Sequence, residues 1–144
     1  MAAADESIAT GVDAHDTGQG RFQVEIHAAG ATLLADEPVE LGGLGSGPSP
    51  HQLLAAGLAA CTTMTLKLYA ARKGWPLEHV IVQVSHSHPG GEARDRFDRQ
   101  IAMQGPLDDD QRQRLLEIAA RCPVHLTLER GSDIATVIAE STPT

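Results

Sequence analysis

"GPSPHQLLAAGLAACTTMTLKLYAARKGW" (residues 47–75) sets one cysteine, Cys61, in the middle of a long and almost wholly apolar segment that opens on a proline-rich turn. The opening has the grammar of a helix start. Ser49 is placed to be the N-cap, Pro50 takes the first helical position, and Gln52 completes a capping box. The spacing predicts a helix from about Pro50 to Lys73, closed by Gly74. Its apolar residues cover nearly the whole circumference, so it is no ordinary surface helix with one wet face. It is expected to be central, either surrounded by sheet or shared with a second subunit. Residues 53–66 carry no charge. Three threonines dilute that run, and Lys67 stops it short of the ~20 residues a bilayer needs. A buried core helix is favoured over a membrane span, and no membrane partner is expected.

Working outward, residues 1–17 are small, acidic and aperiodic, and are expected to form a flexible amino-terminal tail. A single domain is expected over 18–144. Phe22, Val24 and Ile26 alternate, an Ala-Ala-Gly turn follows, and Ala31, Leu33 and Ala35 return, which describes an antiparallel hairpin. The glycine- and proline-rich stretch from Val39 to Pro50 predicts a loop that approaches other backbone closely. Beyond Gly74, "VIVQVSH" (80–86) and "RFDRQIAMQG" (96–105) predict two more strands around the turn "HPGGEARD" (88–95). "PLDDDQ" (106–111) starts a second helix, with Asp108 and its neighbours at the positive end of the dipole. Leu115, Leu116, Ile118 and Ala119 form its apolar side. Cys122 falls at its end, before Pro123. "VHLTLER" (124–130) and "IATVIA" (134–139) alternate as a closing pair of strands. The order strands, helix, strands, helix, strands indicates an α+β domain.

The chain has 144 residues, enough for one domain that hides roughly two thirds of its unfolded surface. Eleven basic against nineteen acidic side chains give a net charge of -8, and aromatics are 3% of residues. Neither a phosphate-tracking face nor a base-stacking platform is evident, so nucleic acid is not an expected partner. The acidic amino terminus lacks the basic flank and apolar core of a secretory signal, and a cytoplasmic location is expected. With only Cys61 and Cys122 there is neither a disulfide framework nor a CxxC zinc pattern. Two thiols in a reducing compartment indicate inert core residues or redox chemistry. A buried cysteine alone is weak ground for the latter, since free cysteine packs as a small hydrophobe. The setting favours chemistry: Gly57 opens space one turn before Cys61, and Cys122 sits in "RCPVH", where polar groups cluster.

"GSGPSPHQLLAAGLAACTTMTLKLYAARKGW" together with "ARCPVHLTL" resembles the OsmC/Ohr family of osmotically inducible and organic-hydroperoxide-resistance proteins, from about Gly20 through Val137. The resemblance implies the OsmC-like fold, in which antiparallel sheets surround a long buried central helix within an intertwined homodimer. It also implies a thiol peroxidase. Cys61 would attack an organic or inorganic hydroperoxide, and Cys122 would resolve the product as an intramolecular disulfide. A dithiol reductant, such as a lipoyl protein or a small thiol, would reopen that bond. The chemistry is consistent with a thiolate giving a sulfenic acid that condenses with a nearby thiol. No cofactor and no metal are expected.

At a reference pKa of ~8.5 only about 3% of a thiol is ionised at pH 7, so a cation is required. The organic-hydroperoxide branch supplies an arginine from the amino-terminal strands, held by a glutamate just after the helix-start proline. Arg21 is the only arginine of the amino-terminal hairpin and the candidate. The glutamate position reads His51, so the clamp is not reproduced residue for residue, which places the chain in the OsmC-like branch. His51 is a candidate site residue or a solvated helix-start side chain. It lies ~15 Å along the axis from Cys61, which excludes contact within one straight helix. His86 and His88, near His79, resemble half a metal site, but with no third ligand in view a solvated or packing role is favoured. Arg72, Lys73, Arg94, Arg96 and Arg99 read as surface charge, and alternation can aim His125 at solvent. Two other readings stand beside the peroxidase. One is an OsmC-like dimer that binds a small apolar or electrophilic ligand with weak or no turnover, and the other is a dimeric scaffold with inert cysteines.

Overall fold

The computed structural model describes residues 11–139. It is α+β, with antiparallel sheets and three α-helices. The chain divides into two compact units, one comprising residues up to 56 together with 85–98, the other 57–84 and the residues from 99 onward.

The first unit holds a three-stranded antiparallel sheet of Val12–Asp16 (β1), Val24–Ala28 (β2) and Ala31–Ala35 (β3). The expected hairpin is β2–β3, with Val24 opposite Ala35 and Ala28 opposite Ala31. Its two-residue turn puts Ala29 at φ 51° and Gly30 at φ 78°, the double positive φ that matches the twist of the strands. The sheet begins earlier than the sequence implied. Residues 1–10 of the supposed tail lie outside the described residues, but β1 pairs along its whole length with β2. A cross-strand contact offsets its lack of an apolar pattern: His27 Nδ1 of β2 lies 2.8 Å from Asp13 Oδ1, which His15 Nε2 of β1 itself also approaches to 2.8 Å.

After β3 the chain wraps around Asp36. This buried carboxylate accepts the backbone N–H groups of Glu37, Leu44 and Ser46, and the Ser46 hydroxyl at 2.6 Å. The Ser46 hydroxyl first, and the backbone amides after it, hold Asp36 below the usual carboxylate range. The expected close approach is present, because a Cβ on Gly43 would run into the Glu37 carbonyl and one on Gly47 into that of Leu34.

Pro50–Lys73 (α1) starts as the sequence predicts: Gln52 N–H donates to Ser49 Oγ, and Ser49 N–H to the Gln52 side chain. Gly74, at φ 68°, ends it, and the Trp75 N–H reaches back to the Ala70 carbonyl, as in a Schellman cap. Ala55, Leu58, Thr62, Leu66 and Ala70 are buried along one stripe, at the three- and four-residue spacing of one helix face. Leu54, Met64 and Leu68, on the other side, are exposed.

In the second unit Leu66 and Ala70 join Val80, Leu107, Leu115, Ile118 and Ala119 in one core, with Tyr69, Trp75, Ile101 and Met103 against it. His79–Ser87 (β4) and Arg96–Gln104 (β5) form a two-stranded sheet. Asp109–Ala119 (α2) is capped reciprocally by Asp108 and Gln111. Two carboxyl-terminal expectations are corrected. Residues 123–130 form a helix, Pro123–Arg130 (α3), because Pro123 acts at N1 as a start signal and the Cys122 side chain caps it. Residues 134–139 form no strand. Its expected partner strand is the helix α3 instead, and Ile134, Val137 and Ile138 stand exposed.

Candidate functional site

Along β5 the half-buried positions are Phe97, Arg99, Ile101 and Met103, every second residue. A strand turns alternate side chains to one face, so Arg99 shares the face of its apolar neighbours. The reading of Arg99 as surface charge is therefore corrected. Its Nη1 donates to Thr62 Oγ1 at 3.0 Å and its Nη2 to His125 Nδ1 at 3.1 Å. Arginine can only donate, so Nδ1 is the accepting nitrogen of His125. The Nε2–H is then free to donate to Glu129 Oε2 at 3.2 Å. His125 sits on the first turn of α3 facing Arg99, not on a strand facing solvent.

Thr62 and Cys122 close the arrangement. Thr62 is fully buried, donates to the Leu58 carbonyl at 2.7 Å, and lies 3.8 Å from Cys122 Sγ. Cys122 is also fully buried, and its sulfur accepts the His125 backbone N–H at 3.3 Å, so it acts as the N-cap of α3. Both cysteines are free thiols, and Cys61 is half-buried. Cys61 immediately precedes Thr62 on α1, ~100° away around the axis. Cys122 is thus held against Thr62, the chain neighbour of Cys61, and a guanidinium is bonded to the same Thr62. Sequence reasoning missed Arg99 and Thr62, although the period-two pattern of β5 carried the signal for Arg99.

Arg21 lies in the other unit. Its guanidinium is 5.3 Å above the Phe22 ring, and its Nη1 lies beside the open face of Gly42. His51 lies in that unit too, its ring stacked on His86 at 4.2 Å and 3°. The view that the "HSH" motif has no carboxylate is also corrected: Asp95 stands 2.6 Å from both His86 Nε2 and His88 Nδ1, and 3.8 Å from His51 Nε2. The His86 and His88 hydrogen bonds, the former dominant, hold Asp95 below the usual carboxylate range.

Comparison with known proteins agrees with the sequence motifs. Residues 43–137 match the family model described as OsmC-like protein. No curated protein matches the chain. Among solved structures, an organic hydroperoxide resistance protein OsmC of Legionella pneumophila is 28% identical, with a TM-score of 0.65 over 83% of this chain and 88% of that one. An OsmC-like protein of Mycoplasma pneumoniae, 19% identical, has a TM-score of 0.70 over 83% and 86%. The organic hydroperoxide resistance protein OhrB of Bacillus subtilis, 23% identical, has a TM-score of 0.57 over 81% and 88%. The helix-borne cysteine, the cysteine-proline pair, the α+β architecture and the match over residues 43–137 agree, and the chain belongs to the OsmC/Ohr family.

Proposed function

We propose that this chain is a cytoplasmic thiol-dependent peroxidase that reduces organic or inorganic hydroperoxides. The Cys61 thiolate attacks one peroxide oxygen, the O–O bond breaks, and the alkoxide leaves and takes up a proton. Cys61 sulfenic acid then condenses with the Cys122 thiol, releasing water and forming a disulfide. A dithiol reductant restores both thiols. The observation that carries this reading is the placement of Cys122: buried, against the residue next to Cys61, and at the start of an eight-residue helix. Arg99, bonded to Thr62, lends positive charge near Cys122, and Arg21 is a second candidate cation.

The exposed apolar stripe of Leu54, Met64 and Leu68 supports a second copy of the chain packed along α1. Light scattering on the dilute protein should give twice the monomer mass.

His51 favours a second reading, a ligand-binding relative with little turnover. Where the peroxidase branch has a carboxylate at the helix start, this chain has an imidazole engaged with His86. One experiment separates the two. Reduced protein is mixed with a bulky organic hydroperoxide, Cys61 thiol loss is followed by stopped flow, and the product is mapped. Fast loss followed by a Cys61–Cys122 linkage within one chain supports the peroxidase. Two free thiols after exposure leave the ligand-binding reading.

A further inference from the structure

Among the described residues two groups of ligand-type side chains lie apart from the thiols, and one of them is at the start of α1. His51 comes from the first turn of the helix, His86 from β4, and Asp95 from the residue before β5. The donor atoms of these three all lie within 4.8 Å of one another. A tetrahedral zinc site with bonds of ~2.05 Å needs donors ~3.3 Å apart. The two separations from Asp95 Oδ2, 2.6 Å to His86 and 3.8 Å to His51, bracket that value. Reorientation of the exposed His51 side chain, with no backbone change, separates the present arrangement from a coordinating one.

Hydrogen bonding alone does not account for the cluster. His86 and His88 take one oxygen each of Asp95, whereas His51 Nε2 lies 3.8 Å from an already occupied oxygen, beyond hydrogen-bond reach. A cation between His51 and His86 would engage both nitrogens and the shared oxygen together. The rings now lie stacked at 3°, so the exposed His51 ring must turn out of the stack for both in-plane lone pairs to meet one ion. His86 is wedged between the His51 ring and Phe97, the latter at 5.1 Å. His88 meets the other Asp95 oxygen at 2.6 Å, the outer contact that fixes a ligating carboxylate.

We propose that His51, His86 and Asp95 form a binding site for a first-row divalent transition ion, zinc foremost, with His88 as the residue that positions Asp95. Two imidazoles and one carboxylate suit such ions and not calcium or magnesium, which take oxygen donors. Three protein ligands leave a position for water or a small anion. The site is independent of the thiol chemistry, and it braces the helix start against the β4–β5 turn.

The test uses untagged, reduced, full-length protein stripped with a chelator. It is titrated with Zn2+ by calorimetry and with Co2+ by visible absorption, and its histidine ring resonances are followed by NMR. Expected are one strong site per chain, Co2+ bands without a thiolate charge-transfer band, and zinc shifts in the His51 and His86 rings. Binding should vanish in His86→Ala and in Asp95→Asn, the latter an exposed-loop change that guards against misfolding of the former. His88→Ala should keep the Co2+ spectrum with affinity 10- to 100-fold weaker. His27→Ala removes part of the other cluster, Asp13, His15 and His27, and should change nothing. A thiolate charge-transfer band on the strong site, shifts confined to His15 and His27, unchanged binding in Asp95→Asn, or no strong binding would each overturn the proposal.

Discussion

Thr62→Val tests the polar connection behind the two thiols. Valine matches threonine in volume and nearly in helix propensity, so the change deletes one hydroxyl at a fully buried position of α1. The Leu58 carbonyl loses only an extra donor, but Arg99 Nη1 loses its partner at 3.0 Å. A hydrogen bond to a charged group contributes ~1.5–3 kcal/mol, while the added methyl gains ~0.8 kcal/mol from burial. The lost bond wins, and the variant should be less stable by about 1.5 kcal/mol. With ~2.1 cal/mol/K of unfolding entropy per residue, that is a fall in Tm of about 5 °C. Urea unfolding at one fixed protein concentration should show a lower midpoint with an unchanged slope. In an Arg99→Met background the same substitution should become neutral or slightly stabilising, since no guanidinium is left to strand. Equal costs in the two backgrounds, or a Thr62→Val variant as stable as the parent, would refute the claim that Arg99 and Thr62 are coupled.

Cys61→Ser should abolish peroxide consumption with the fold intact by circular dichroism, because serine has no accessible anion. Wild-type activity in that variant would remove Cys61 from the mechanism. Ala29→Asn should stabilise the protein by ~0.5–1 kcal/mol in urea unfolding, since Ala29 holds φ 51° and asparagine tolerates that conformation better. The β1–β2 pairing should carry a pH signature. His27 is raised from 6.5, by the Glu25 hydrogen bond first and the Asp13 bond next, so its contribution is complete below 6.5 and fades as pH rises through the raised value. Asp13 is lowered from 3.8, mainly by the His27 hydrogen bond, so its contribution is complete above 3.8 and fades as pH falls. The difference in urea midpoint between parent and His27→Gln should therefore be largest between these limits, and a difference independent of pH would contradict the pairing.

What the sequence disclosed and what it hid differ in kind. The Ser49–Gln52 box, the Gly74 stop, the Ala29-Gly30 turn and the close approaches at Gly43 and Gly47 were legible because each is a local rule acting over a few residues. The carboxyl-terminal strands were misread because proline is ambiguous: Pro123 forbids continuation of α2 and at the same time favours N1 of a new helix. Residues 124–128 alternate well enough to pass for a strand, and only tertiary context decides between the two. Asp95 was missed for another reason. Its place beside His86 and His88 comes from the fold-back of the β4–β5 turn, which spacing does not display.

The Cys122 sulfur has two partners that cannot both be kept on the proposed pathway. In the reduced protein it accepts the His125 N–H and caps α3. A bond to Cys61 requires Sγ to leave Thr62 and swing ~100° around α1, which removes that cap. Loss of an N-cap costs about 0.5–2 kcal/mol, and a helix of eight residues has little stability of its own. Oxidation would therefore loosen the first turn of α3, which carries His125 and through it the link to Arg99. The loosened turn is also the segment a dithiol must enter to reach a sulfur that is wholly buried in the reduced state. On the proposed pathway the same short helix would protect Cys122 while reduced and give way once the disulfide formed. A resolving cysteine at a helix start would have only a weak bond to the backbone to exchange, as one in the interior of α2 would not.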